Sequence, residues 1–336
     1  MTGTGTGTAE LNPEVERADE AVPRLWRRLG LPGLVDVHVH FLPPSMLAAV
    51  WAYFDRAEEH YGVRWPVTYR VGDDERVALL RRLGVRAFPA LAYPHRPGMA
   101  RWLNGWTLDF ARRTAGCVPS ATFFPEPDAA AYVGEALDAG ARVFKAHLQV
   151  GGYDPTDPLL GPVWGRLAEE RVPVVVHCGS GPVPGLHTGV GPIGEVLRRH
   201  PRLRLVVAHA GMPEYAGHAD LAERYPGVHL DTTMVGTPFT EAMMPMPPDL
   251  PRRFADLGDR VVLGSDFPNI PYPYATQLDA LVQLDLGDDW LRGVLWSNGA
   301  RLLGLNGGGG GSRAAAAGEA PEPRMPGWDD PQARRG

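Results

Sequence analysis

Eight short apolar runs, each suited to a buried β-strand, recur along this chain with helical patterns between them. Successive runs are roughly 30 residues apart, which is the usual length of a βαβ unit. Residues 174–176 and 205–207 are apolar throughout, as expected for parallel strands that helices cover on both faces. The eight predicted strands are 34–39, 86–92, 118–124, 141–148, 173–178, 203–209, 228–233 and 260–265.

Strict alternation of eight strands with helices favours a closed (β/α)8 TIM barrel over an open sheet. No Gly-x-Gly-x-x-Gly turn follows the first strand, which argues against a dinucleotide-binding fold. The longest connection, 41–84, is predicted to be an insertion after strand 1, either an active-site lid or a segment packed on the barrel rim. The predicted helices are 45–59, 73–83, 101–114, 128–138, 162–170, 192–200, 213–225, 250–256, 274–284 and 288–303.

Composition divides the chain into one predicted domain and two tails. Residues 1–20 begin with Thr-Gly repeats and are predicted to be a disordered arm. Residues 21–306 are predicted to form a single barrel domain. Residues 307–336 begin with five glycines and are predicted to be a disordered tail.

Charge and hydropathy exclude two classes of partner. The net charge of −6 and the lack of a basic cluster argue against nucleic-acid binding. No apolar run approaches the ~18 residues of a membrane span. Two cysteines offer no disulfide framework and no secretory leader is visible, so we expect a cytoplasmic protein.

Ionisable side chains stand where five of the predicted strands end. In a parallel barrel the carboxyl ends of the strands meet at one face, where catalytic groups collect. Burying several ionisable groups together is costly unless a metal or mutual pairing compensates. Imidazole and carboxylate groups also bind zinc-like ions well, so the pattern predicts a metal site. The residues are His38 and His40, Lys145 and His147, His177, His209, and Asp266.

The segments Asp36-Val-His-Val-His-Phe-Leu-Pro43 and Leu263-Gly-Ser-Asp-Phe-Pro268, with the strand-end histidines, resemble the amidohydrolase superfamily. They look like its amidohydrolase-related branch (amidohydrolase 2), which includes the aminocarboxymuconate-semialdehyde decarboxylases. The resemblance implies a metal-dependent barrel in which His38, His40, His177 and Asp266 bind the metal. It also implies that His209 and Asp266 are catalytic, with Asp266 accepting a proton and His209 acting as acid or base.

Lys145 bears on the number of metals. The resemblance implies one divalent ion, for which we expect Zn²⁺; in binuclear members a carboxylated lysine on strand 4 bridges two ions. Lys145 lies in that strand, and its other interpretations are a cation for a substrate carboxylate or a partner for Asp266. His147 is a candidate substrate contact or a residue behind the ligands.

Weaker candidates lie in the loops on the same face of the predicted barrel. Arginines there could hold a substrate carboxylate bidentately, although each is also an ordinary surface residue. These candidates are Arg64, Arg70, Arg96 and the loop histidine His187. Asp231, at the end of strand 7, either faces the pocket or caps the next turn.

The leading function hypothesis is hydrolysis, in which a metal-activated water attacks the carbonyl of an amide, ester or lactone. The alternative is non-oxidative decarboxylation of an unsaturated or aromatic carboxylic acid, because the same ligand set serves both reactions. A third hypothesis is a non-catalytic barrel that binds a metal. The expected partner is a small molecule, with a carboxylate as the first expectation; the resemblance also allows a homodimer.

Overall fold

The computed structural model describes residues 11–305 of the 336-residue chain. All strand pairs are parallel, and consecutive strands along the chain are neighbours in the sheets. The strands are β1 (Leu34–Val35), β2 (Val85–Pro89), β3 (Cys117–Val118), β4 (Ser120–Thr122), β5 (Val143–His147), β6 (Val174–His177), β7 (Leu205–Val207), β8 (Val228–Asp231) and β9 (Val261–Val262).

Nine strand segments fill the eight positions of a barrel. β3 and β4 are separated only by Pro119, which has no amide hydrogen to contribute to a ladder. The first and last strands close the sheet beyond their regular parts, since the Val37 amide donates to the Leu263 carbonyl at 2.8 Å. The His40 amide donates in the same way to the Phe267 carbonyl at 2.8 Å. The chain is therefore the (β/α)8 barrel that the sequence predicts.

Helices follow most of the strands and cover the barrel. Their bounds are α1 (Pro13–Asp19), α2 (Ala21–Arg28), α3 (Pro44–Asp55), α4 (Ala57–Tyr61), α5 (Asp73–Leu83), α6 (Ala100–Arg113), α7 (Ala129–Asp138), α8 (Leu148–Gly151), α9 (Gly161–Glu169), α10 (Val190–Arg199), α11 (Tyr215–Arg224), α12 (Pro238–Glu241), α13 (Leu250–Leu257), α14 (Tyr274–Gln283), α15 (Asp288–Arg292) and α16 (Asn298–Leu302). Within residues 11–305, no helix is both long and apolar enough to span a bilayer.

Three hydrophobic clusters among residues 11–305 stabilise this arrangement. The largest one joins the strands to the surrounding helices, with Trp164, Tyr132 and Phe144 among its fully buried members. A second cluster combines side chains of the strands with Leu302 and its neighbours in α16. A Cβ atom at Gly299 would lie 2.9 Å from Val35, so α16 packs directly against the start of the first strand.

The insertion between β1 and β2 packs on the barrel rim. It contains α3, α4 and α5, and two of its indole groups bond to the loop that follows β9. The Trp65 indole donates to the Asn269 carbonyl at 2.7 Å, and the Trp51 indole donates to the Asn269 side-chain oxygen at 3.2 Å. These bonds join the segment 41–84 to the barrel rim, and its role as an active-site lid stays a prediction.

The predicted disordered arm over residues 1–20 is wrong for 13–19, which form α1. Asp19 at its end is buried, and its carboxylate accepts hydrogen bonds from the Tyr69 hydroxyl at 2.6 Å and the Ala275 amide at 3.0 Å. These partners lie far along the chain, so local composition could not reveal them. Residues 1–10 and the predicted tail 307–336 lie outside the described residues.

Candidate metal centre

Three side chains from the segments that follow β1 and β9 converge at the carboxyl end of the barrel. One oxygen of Asp266 lies 2.9 Å from Nε2 of His40 and 3.5 Å from Nε2 of His38. One nitrogen or oxygen atom from each of these residues lies within 4.8 Å of the other two. Both histidines are almost fully buried. The backbone pairing of 37–40 with 263–267 brings the three together, because it places the two segments side by side.

The far nitrogen of each of these histidines is held by an acceptor. Nδ1 of His38 lies 2.9 Å from a carboxylate oxygen of Asp231, and Nδ1 of His40 lies 2.8 Å from the Leu91 carbonyl. Because carboxylate and carbonyl oxygens only accept, both Nδ1 atoms carry the hydrogen. In the neutral rings Nε2 is then a lone-pair donor, and metal-binding histidines are oriented in the same way.

The donor set fits a divalent cation. Two imidazole lone pairs and a carboxylate oxygen, all electron donors, point toward one another in a buried place. Burial raises the pKa of Asp266, but the adjoining His40 and the nearby His38 and His209 outweigh this effect and hold that pKa well below its usual range. Nδ1 of His209 is buried and has no hydrogen-bond partner within residues 11–305. Nitrogen and carboxylate ligands of this kind suit zinc-like ions.

The backbone is strained at two of these residues. His209 has φ of 56° and Asp266 has φ of 67°, both in the left-handed region that non-glycine residues rarely adopt. The His209 amide donates to the second oxygen of Asp231 at 2.7 Å, and the Asp266 amide donates to the His38 carbonyl at 2.8 Å. These bonds hold the two turns that aim the side chains, and such strain is typical of functional sites.

Gly264 allows this packing. A Cβ atom there would lie 2.2 Å from the Thr233 hydroxyl and 2.9 Å from the His38 Cβ atom. The Thr233 hydroxyl itself is 3.1 Å from Nδ1 of His38. A larger residue at position 264 would therefore push His38 away from Asp231.

Lys145 lies inside the same cluster. Its side chain is fully buried, and Nζ is 3.0 Å from Nε2 of His38. Burial lowers the pKa of Lys145 to about 8, although the nearby carboxylates of Asp266 and Asp231 oppose that shift. The amine can therefore be neutral or charged near neutral pH. Lys145 is therefore placed where it can contact a metal-binding side chain, a substrate or a metal.

His147 and His177 form a parallel pair of rings beside the cluster. They are register partners on adjacent strands, and their rings stack with centroids 4.1 Å apart and planes at 8°. Nε2 of His177 donates to the Gly181 carbonyl at 3.0 Å, which leaves Nδ1 as a lone-pair donor. Burial, with the neighbouring His209 and Lys145, lowers the pKa of His177 to about 3.

His177 lies beside the three-residue group but outside it. The His209 ring is 4.9 Å from the His177 ring and 5.2 Å from the His38 ring, centroid to centroid. The structure therefore brings together all seven of the strand-end residues that the sequence predicts, as neighbours. The predicted metal-ligand role of His177 and the catalytic role of His209 stay predictions.

The weaker loop candidates do not reach this site. Arg70 is bound to Asp55, with a shortest nitrogen–oxygen distance of 2.5 Å, and Arg64 is exposed. Arg96 and His187 are half-buried. None of these four lines the cavity next to the cluster, as far as residues 11–305 show.

An aromatic cavity of about 110 Å³ adjoins the cluster. The insertion supplies one wall, and Tyr93, which follows β2, lies between the cavity and His40 with ring centroids 5.5 Å apart. His147 and His177 form the polar part of the wall. The full lining is Val50, Tyr53, Phe54, Tyr61, Trp65, Tyr93, His147, Gln149, Val150, His177 and Pro182.

Two residues of this site have partners that the sequence does not predict. Asp231 bonds to His38 rather than to the turn alone, and its position at a strand end was the available signal. Asp36 is fully buried, accepts from the His38 amide at 3.1 Å and from the Tyr274 hydroxyl at 2.9 Å, and has a pKa raised by burial to about 7. The local sequence does not predict those partners.

Comparisons with known proteins agree with the fold. The sequence pattern of the family described as Amidohydrolase matches residues 35–305. An uncharacterised TIM-barrel protein from Bordetella bronchiseptica is 19% identical with a TM-score of 0.66, and the alignment covers 81% of this chain and 98% of that one. No curated protein matches the chain.

Two further solved structures are similar in fold. The Metarhizium anisopliae IDCase is 14% identical with a TM-score of 0.57, over 83% of this chain and 99% of that one. The L-hydantoinase (dihydropyrimidinase) of Arthrobacter aurescens is 17% identical with a TM-score of 0.53, over 82% of this chain and 72% of that one.

Proposed function

Because the chain belongs to the amidohydrolase family, we propose that it is a metal-dependent hydrolase of amides, esters or lactones. One observation carries this proposal. His38 and His40 are each fixed through Nδ1, so that both Nε2 atoms face the carboxylate of Asp266 in a buried place. Such an arrangement costs free energy without a cation and stabilises a site that holds one.

His38, His40 and Asp266 would hold the metal, and by family resemblance His177 would join them. When bound, a zinc-like ion polarises a carbonyl and makes water acidic enough to react near neutral pH. Asp266 keeps its charge because its pKa is held low, which suits an anionic metal ligand; by family resemblance it would also accept the proton of the attacking water. Nδ1 of His209 is buried and has no other partner among residues 11–305, so it can deliver a proton to the leaving group.

The cavity favours a substrate with an apolar, ring-bearing part. Five aromatic side chains line it, and no arginine or lysine among residues 11–305 does. Tyr61 and Trp65 from the insertion would pack against such a group and exclude water from the reacting bond. A substrate carboxylate, if present, would have to approach Lys145 rather than a loop arginine.

Non-oxidative decarboxylation is the second candidate, and Lys145 is the observation that favours it. A buried amine 3.0 Å from Nε2 of His38 could hold the carboxylate of an acid at the reacting centre. The cavity offers no arginine to assist, as far as the described residues show, so we place hydrolysis first.

Metal-dependent turnover tests the proposal. The zinc-loaded protein is assayed with aromatic and aliphatic esters and lactones, amides, and aromatic carboxylic acids, with carbon dioxide release recorded in parallel. Hydrolysis that is lost on chelation and restored by metal supports the proposal. Carbon dioxide release without hydrolysis selects the decarboxylase, and a fully loaded protein without any turnover supports a binding role.

Two variants separate the predicted roles. His209→Ala should abolish activity while metal stays bound, and His177→Ala should lower metal content. Loss of metal from His209→Ala would show that the two assignments are reversed. Asp289→Asn, at a side chain that is 99% exposed, is the control for both.

A further inference from the structure

A second cavity, of about 540 Å³, lies at the amino-terminal end of the barrel, opposite the candidate metal centre. Its wall is formed where four adjacent strands begin. Arg171 precedes β6, Arg204 precedes β7, and Arg260 precedes β9, while His229 belongs to β8. Arg301 from α16 completes the wall. Segments distant in sequence therefore build this site together.

The lining of this cavity, which we call the basic cleft, is strongly cationic. It contains five arginines and a single acid, whereas the whole chain has a net charge of −6. The concentration of positive charge is thus local and runs against the overall balance. The charged residues are Arg171, Arg202, Arg204, Arg260, Arg301 and Asp259.

Only two of the five guanidinium groups have partners within residues 11–305. Arg301 pairs with Asp259 at 2.8 Å, and Arg260 donates to the Ala222 carbonyl. The guanidinium groups of Arg171, Arg202 and Arg204 form no hydrogen bond or salt bridge with any residue in that range. Three neighbouring cations without a counter-charge repel one another, and a bound anion would relieve that repulsion.

The remaining lining does not supply the missing negative charge. Burial lowers the pKa of His229 to about 4, so its ring is neutral near pH 7. Arg204 is half-buried, and burial together with the neighbouring Arg171 lowers its pKa. The charge of the basic cleft therefore comes from arginines, which stay protonated at physiological pH.

We propose that the basic cleft binds a small anion that carries two or more negative charges. Guanidinium groups present planar forks that match phosphate and carboxylate oxygens, often in pairs. The volume is within the range of small-molecule sites. Such a ligand would tie together the starts of β6, β7 and β9 with α16, and so it would stabilise the fold by mass action.

Calorimetric titration of the full-length protein tests the proposal, with inorganic pyrophosphate and citrate as the two probes. Tight binding of either probe to the wild type is expected. Arg171→Gln/Arg204→Gln should weaken it at least tenfold. Because Arg204 is half-buried, Arg171→Gln/Arg202→Gln, at two exposed positions, provides a second variant that should show the same loss.

Two controls exclude other sites. Arg252→Gln removes one charge at an exposed α13 residue that pairs with Asp256, and should leave binding unchanged. His40→Ala should also leave binding unchanged. This variant tests whether pyrophosphate binds instead to a metal at the catalytic end. The proposal is overturned if neither probe binds the wild type. It is equally overturned if His40→Ala abolishes binding, or if Arg252→Gln weakens it as much as the cleft variants.

Discussion

A carboxylate oxygen of Asp231 lies 2.9 Å from Nδ1 of His38, although 193 positions separate the two residues. This contact fixes which nitrogen of His38 carries the hydrogen and which one faces Asp266. Asp231 also accepts from the His209 amide, so one side chain supports two residues of the proposed site. The orientation of the site thus depends on Asp231, a residue that does not line the cavity.

Asp231→Asn should therefore weaken metal binding while leaving the chain folded. The amide keeps the size of the carboxylate but loses the charge that orients His38, and losses of this kind are about 10–100-fold in affinity. Competition with a chelator of known affinity measures the change. Asp289→Asn serves as the exposed control, and an unchanged affinity in Asp231→Asn would show that His38 needs no such support.

Lys145→Ala tests the number of metals. We expect about one divalent ion per chain in the wild type, and the same content in the variant, because His38, His40 and Asp266 do not require the lysine. Elemental analysis of both proteins after loading with zinc measures this. Two ions in the wild type with loss in Lys145→Ala would instead indicate a bridging, carboxylated lysine.

Tyr69→Phe should destabilise the fold by about 1–3 kcal/mol, because it leaves buried groups without partners. The Tyr69 hydroxyl donates to Asp19 at 2.6 Å and accepts from the Tyr274 amide at 2.6 Å. Denaturant unfolding measures the free energy change. The control is Tyr225→Phe, because the Tyr225 hydroxyl makes no hydrogen bond among the described residues, and its effect should be much smaller. Equal effects would mean that the contact of Tyr69 with α1 contributes little to the free energy of unfolding.

Acid should destabilise the protein partly through His229. Burial lowers its folded-state pKa to about 4, below the ordinary value of 6.5, so the unfolded chain binds the proton first. Stability should then fall as the pH drops from about 6.5 toward 4, and this share should vanish in His229→Gln. Between pH 7.5 and 4.5 the variant should lose about 1–3 kcal/mol less than the wild type. Denaturant unfolding of both proteins at both pH values measures the difference. An equal loss of stability in the two proteins would assign the acid sensitivity to other groups.

Local signals predicted the regular elements well where they were strong. The helix predicted at 73–83 is observed at Asp73–Leu83, because acidic residues begin it and Gly84, with φ of 92°, ends it. The helix predicted at 288–303 is divided into α15, a π-helical turn and α16. The first predicted strand, 34–39, has regular pairing only over Leu34–Val35. Beyond Val35 the backbone of the first segment pairs with the segment that follows β9. No local pattern predicts this pairing.

Local patterns along the chain were enough to predict the barrel and the residues that gather at its carboxyl end. Both follow from periodicity, since parallel strands must place their ends at one face. Three features became visible only in the folded chain: which nitrogen of His38 faces inward, which aromatic residues of the insertion line the cavity, and how the arginines of the basic cleft meet. Those features depend on contacts between residues far apart in the chain, and local sequence patterns do not predict such contacts.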